Sequence, residues 1–137
     1  MDSKKLSLKI VPERMAVCRL DASAPLPGGL DGSGFYSITR TQEELSLVCH
    51  EALTPPGIKC ERGWRCFRVQ GVLDFSEIGI MFSLTQPLAI NGVSVFVIST
   101  YDTDYFLVKE KDLATAIDAL TASGHQITKS KPEASSQ

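Results

Sequence analysis

Residues 78–101 run for 24 positions without a charged side chain, and the way that run is punctuated limits the fold more than any other feature of the chain. By length alone it would reach across a bilayer. Gln86-Pro87 and Asn91-Gly92 interrupt it with a helix-disrupting residue and a turn dipeptide, so a short helix followed by a buried strand fits better than one membrane helix. The helical part reads from Ile78, with Met81, Phe82, Leu88 and Ala89 as its apolar stripe, Ser76 as N-cap and Glu77 near the positive end of the dipole. Pro87 must kink or shorten that helix. Residues 93–99, Val-Ser-Val-Phe-Val-Ile-Ser, form a β-branched run that reads as a central strand.

The flanking segments extend the pattern. Residues 64–69 alternate large apolar and basic side chains with period two, as a half-solvated strand does. Residues 105–108 are a second apolar strand, near enough to pair antiparallel with the first. Asp112 is placed to cap a helix carrying Leu113, Ala116, Ile117 and Leu120 at i, i+3, i+4 and i+7, which Gly124 ends; a short strand follows around residues 125–128. The order strand, helix, strand, strand, helix, strand predicts an α+β, ferredoxin-like βαββαβ unit, an antiparallel four-strand sheet with both helices on one face. Residues 129–137 offer little to bury and are expected to be a disordered tail.

The N-terminal half reads as a worn copy of the same unit. Residues 36–48 align without gaps to residues 96–108, an offset of 60, with aromatic, Ile, hydroxyl, acid, Leu and Val positions in common. Helices here would be abbreviated, because residues 23–34 and 54–63 are rich in Gly and Pro and too short for several turns. The expectation is a tandem: a degenerate unit over 1–61 and a fuller one over 62–128. A chain of 137 residues suits two half-size units that support each other better than two independent domains.

Composition narrows the function classes. The 14 Lys and Arg, set against 16 Asp and Glu, are scattered, so the basic stripe that phosphate contacts require is missing and nucleic acid is not expected as a partner. Asp2, Lys4, Lys5, Lys9, Glu13 and Arg14 leave no room for the apolar core of a signal peptide, which predicts a cytoplasmic protein with no membrane partner. Cys18, Cys49, Cys60 and Cys66 have no CxxC spacing, and His50 and His125 lie in no ligand pattern; free thiols and no metal or other cofactor are expected. Adjacent strand residues point to opposite faces, so Cys49-His50 is badly arranged as a thiolate and its base. No GxSxG, HExxH or phosphate-cradling glycine pattern occurs, and the glycine-rich stretch 28–34 reads as a flexible loop. The chain is therefore not expected to be an enzyme.

Two segments remain that can carry binding chemistry. In Ser99-Thr100-Tyr101-Asp102-Thr103-Asp104-Tyr105, Asp102 is accounted for by turn bonding to local backbone. Asp104 enters an apolar strand, where an unpaired carboxylate is costly, so a cation from the protein or from a ligand is implied. In Asp74-Phe75-Ser76-Glu77-Ile78-Gly79-Ile80 a strand enters a helix; its glycine serves either close helix packing or a carboxylate ligand at the exposed N–H groups.

Leu73-Asp74-Phe75-Ser76 with Gly79-Ile80, Pro87-Leu88-Ala89, Val93-Ser94-Val95-Phe96 and the block Ser99 to Val108 together resemble the ACT domain, a βαββαβ module that senses small molecules, commonly amino acids. The likeness is to the group of the Castor arginine sensors and of short bacterial tandem-ACT proteins, and it covers about residues 15–124. It implies a ligand held between ACT units. Gly79 and Ile80 would meet its α-amino and carboxylate ends, Ser94 and Val95 would make strand contacts, and Asp104 would hold a basic group. The arginine sensors carry four ACT units per chain and this chain about two, so the pocket would need the N-terminal half or a second copy, and arginine does not follow as the ligand. The resulting expectation is a ligand-binding regulatory protein, with a ligand-free interaction module as the alternative. The apolar run 93–99 and the weak edge cover of the N-terminal half predict a homodimer.

Overall fold

A computed structural model of the chain describes residues 5–71 and 79–129. The predicted cap at Ser76, with Glu77 and Ile78, and the tail beyond Lys129 lie outside them. By its internal contacts the chain divides into two compact units, Glu13–Trp64 and Met1–Pro12 with Arg65–Gln137. The first strand, β1 (Ser7–Leu20), runs through both units.

The sequence reading has no strand in that region, since Pro12 and the charges of Lys9, Glu13 and Arg14 mask the alternation of Leu6, Leu8 and Ile10. The structure shows how Pro12 is tolerated. Ser7 to Ile10 pair in parallel with β7 (Gln126–Lys129), and Met15 to Leu20 pair antiparallel with β3 (Leu45–His50). Pro12, which has no N–H for a ladder, falls between the two pairings.

The unit holding the C-terminal half follows the predicted order: β4 (Lys59–Val69), α1 (Ile80–Ile90), β5 (Phe96–Ser99), β6 (Asp104–Lys109), α2 (Leu113–Ala122) and β7. Its strands lie in the order β7-β1-β4-β6-β5. The expected four-strand antiparallel sheet is corrected on two points: β1 lies between its first and last strands, and β7 runs parallel to β1. The physical cause is shared burial. Leu8 and Ile10, Phe67 and Val69, and Phe106 and Val108, each two residues apart and so on one face, form one cluster with Leu84 and Leu88 of α1 and Ala116 and Leu120 of α2. Phe67 and Phe106 stack within it, ring centroids 4.8 Å apart. Cys66 is buried as well as Phe67, so β4 is covered on both faces there rather than half-solvated.

Three further details differ from expectation. The buried stripe of α1 is Ile80, Ser83, Leu84, Pro87 and Leu88, while Phe82 is 59% exposed. A helix that is apolar nearly all round does not reveal its inner face by periodicity. β5 begins only at Phe96 and ends the strand order instead of lying centrally. Asp112 precedes α2 but makes no side-chain cap bond, because a 3-10 turn over Glu110–Asp112 leads into the helix.

Both helices end in the same way. After α1, Gly92 N–H donates to Ala89 O at 3.0 Å and Val93 N–H to Leu88 O at 2.9 Å; after α2, Gly124 donates to Thr121 O at 2.9 Å and His125 to Leu120 O at 3.1 Å. These are paired Schellman caps, which need the positive φ of Gly92 (76°) and Gly124 (97°).

The unit Glu13–Trp64 contains β2 (Ser37–Arg40), β3 and a 3-10 turn over Glu51–Leu53, with no α-helix among its described residues. Its core joins Ala16, Cys18, Leu30, Leu47 and Cys49. Leu30 sits in the glycine-rich stretch predicted to be flexible; it is buried, and Ser33 closes a turn on its carbonyl oxygen.

Candidate functional site

The two hairpins that contain the aligned residues 36–48 and 96–108 are built alike. Ser37 pairs with Val48 and Arg40 with Leu45; Phe96 pairs with Leu107 and Ser99 with Asp104. Each leaves a four-residue connection with one bonding pattern. Thr41 N–H donates to Glu44 O at 2.8 Å and Thr100 N–H to Thr103 O at 2.8 Å, while the Thr41 and Thr100 hydroxyls accept from Glu44 N–H and Thr103 N–H at 3.1 and 3.2 Å. The structural offset is thus 59 residues, one less than the sequence alignment, which superposed Glu44 on Asp104. Asp104 instead corresponds to buried Leu45, and its acidity is peculiar to the second hairpin.

Turn bonding in residues 100–103 comes from Thr100, not from Asp102, which is exposed. Thr103 is a residue the sequence reading passed over. It is buried, and its hydroxyl donates to Val69 O at 2.7 Å, tying the hairpin tip to the end of β4. Next to that anchor Asp104 opens β6, partly buried, with Oδ1 accepting from the Ser99 hydroxyl at 2.5 Å. Among the described residues no cation pairs with Asp104. The carboxylate keeps acceptor capacity for another donor.

Gly79 is the N-cap of α1, with φ of 84°, and Ser83 N–H makes the first helical bond to its carbonyl at 3.0 Å. Among the described residues a Cβ added there would meet nothing within 4 Å. The positive φ is a backbone conformation that glycine adopts without strain. Ile80 starts the helix and is buried. Ser94 and Val95 precede β5 rather than lie in it, Ser94 exposed and Val95 partly buried. The nominated residues therefore occupy three places in one unit, the start of α1, the approach to β5 and the start of β6, and no hydrogen bond or ion pair among the described residues links them.

Two clefts lie elsewhere. One of about 520 Å³ is lined by Pro87, Ile90, Asn91 and residues of α2; the other, of about 430 Å³, is lined by Glu13, Arg14, His50, Glu51 and Arg62. Arg14 pairs with Glu51 at 3.6 Å beside the second, and His50 Nε2 lies 3.7 Å from Glu13 Oε1. His50 thus points to Glu13 while Cys49 enters the core, as strand alternation requires.

Burial pushes the Cys18 and Cys49 thiols up, and the Cys66 thiol up to about 12. Among the described residues no group of three or more His, Cys, Asp or Glu is arranged to hold a metal, and no helix is long and apolar enough to cross a membrane.

The sequence model of the ACT domain matches residues 59–122, and a second model, of an N-terminal domain, matches residues 13–56. The chain is 34% identical over 97 residues to the cytosolic arginine sensor for mTORC1 subunit 1 of Bos taurus; the match takes in 63% of this chain and 30% of that protein. The chain thus spans less than a third of that relative's length. The crystal structure of protein Atu0741 from Agrobacterium tumefaciens superposes with a TM-score of 0.89 at 40% identity, over 95% of this chain and 97% of the other. Aspartate kinase of Clostridium acetobutylicum superposes with a TM-score of 0.64 at 11% identity, over 90% of this chain and 35% of the enzyme, a likeness of fold.

Proposed function

The chain belongs to the ACT-domain family, and from that premise we propose that it binds an amino acid and acts as a sensor or regulatory subunit rather than as an enzyme. The observation that carries this reading is Asp104, a partly buried carboxylate with a hydroxyl partner and no cation among the described residues. An ammonium or guanidinium group of a ligand would supply the missing charge. Gly79 and Ile80 would offer N–H groups at the start of α1 to the ligand's carboxylate, and Ser94 and Val95 would add contacts before β5. A relative named as an arginine sensor supports an amino-acid ligand; the small share of it that this chain spans keeps arginine itself out of the proposal.

The same reading takes the two units as tandem ferredoxin-like ACT repeats, the N-terminal one lacking α-helices among its described residues. It places the protein in the cytoplasm, as a homodimer. Light scattering giving the chain mass of 14.9 kDa at every dilution would remove the dimer.

A thermal-shift screen against the common amino acids tests the function. Ligand at about 1,000 times its dissociation constant stabilises by about 4 kcal/mol, a readily measured rise in melting temperature. No shift with any of them would overturn the reading in favour of a ligand-free interaction module.

A further inference from the structure

Three cysteines scattered along the sequence, Cys18, Cys49 and Cys60, belong to one apolar cluster of the unit Glu13–Trp64. Two of them touch: Cys60 Sγ lies 2.9 Å from Cys18 Sγ, although 42 positions separate them in the chain. They come from β1 and β4, neighbours in the strand order. We propose that Cys18 and Cys60 form a dithiol modification site, which a peroxide converts to an intramolecular disulfide.

The two sulfurs differ in access, and that assigns their roles. Cys18 is buried and Cys60 only partly so. The oxidant therefore reaches Cys60. Arg62 lies two residues further along β4, on the same face as Cys60. The Cys60 sulfur attacks one peroxide oxygen: an S–O bond forms, the O–O bond breaks, and the departing hydroxide takes the thiol proton to leave as water. Cys18 then attacks the sulfenic sulfur of Cys60; the S–S bond forms, the S–O bond breaks, and hydroxide leaves with the Cys18 proton as a second water. In sum, two thiols and one hydrogen peroxide give one disulfide and two waters. Cys66 belongs to the other unit and takes no part.

The test is treatment of the whole chain with hydrogen peroxide, followed by denaturation, thiol titration and non-reducing peptide mapping. The free thiols should fall from the four of the reduced chain to two, with a mass loss of about 2 Da and a Cys18–Cys60 linked peptide. Cys66→Ser should still form the link and Cys60→Ser should not; Cys60 is partly exposed, so serine there leaves the core packing in place. Four surviving thiols, a Cys60 oxidised to sulfinic acid without a link, or a link to Cys49 or Cys66 would each overturn the proposal.

Discussion

His125 Nε2 lies 2.9 Å from the carbonyl oxygen of Ser83, the helical acceptor that Pro87, four residues further on, cannot serve because it has no N–H. The opposite ring nitrogen, Nδ1, accepts from Leu6 N–H at 3.1 Å, which fixes the proton on Nε2 and makes it the donor to Ser83. One buried imidazole thus satisfies a carbonyl orphaned inside α1 and a backbone amide just before β1, from its own position after the cap of α2.

His125→Phe keeps an aromatic ring at the site and leaves both backbone groups unpaired, so it should destabilise the chain by about 3 kcal/mol in denaturant unfolding. In a Pro87→Ala background the helix can supply its own donor to Ser83 O, and the same substitution should cost about 1 kcal/mol less. Equal costs in the two backgrounds would dissociate Pro87 from His125.

Gly79→Ala tests the reading of that glycine as a backbone requirement. At φ of 84° a side chain costs about 1 to 2 kcal/mol, and with nothing within 4 Å among the described residues no steric penalty from them adds to it. A loss above about 4 kcal/mol in urea unfolding would mean that packing, not conformation, selects glycine there.

Asp104→Ala should weaken binding of the best ligand tenfold or more, the loss of a charge-assisted interaction worth about 1.5 to 3 kcal/mol, and Asp102→Ala should weaken it much less. With Ser99 as the partner of Asp104, the melting temperature should change little. Calorimetric titration with melting curves alongside separates the cases: an unchanged affinity in Asp104→Ala removes the site.

Burial lifts Cys66 to about 12, above the 9.0 of an ordinary thiol. A folded-state pKa above the unfolded one contributes stability that is complete below about pH 9 and is lost as the pH climbs toward about 12. Urea unfolding should therefore show stability declining over that alkaline window, and Cys66→Ala should flatten the decline. A slope identical to that of the parent would assign the effect to Cys18 and Cys49, whose thiols are raised in the same direction.

What the sequence determined by itself is the local part of the protein. The turn dipeptide Asn91-Gly92, Gly124 after an i, i+3, i+4, i+7 stripe and the apolar stretch 105–108 place the ends of α1 and α2 and the core of β6, because caps and periodicity act over a few residues. The likeness of the two hairpins was legible to within one position, since hairpins of equal connection length leave matching residue types. The nominated residues Gly79, Ile80, Ser94, Val95 and Asp104 could be picked out as types, but not as neighbours. Only the tertiary structure decided matters that depend on partners distant in the chain. It revealed β1, whose alternation is masked by Pro12 until its two pairings are seen, and it set the inner face of α1, which apolar residues on every side left open. It chose the proton position on His125, through Leu6 and Ser83, and it brought Cys18 to Cys60 across 42 positions. A strand partner, a buried face and a tautomer are each settled by which groups are excluded from water together, and that exclusion is a property of the packed chain, beyond the reach of any local window.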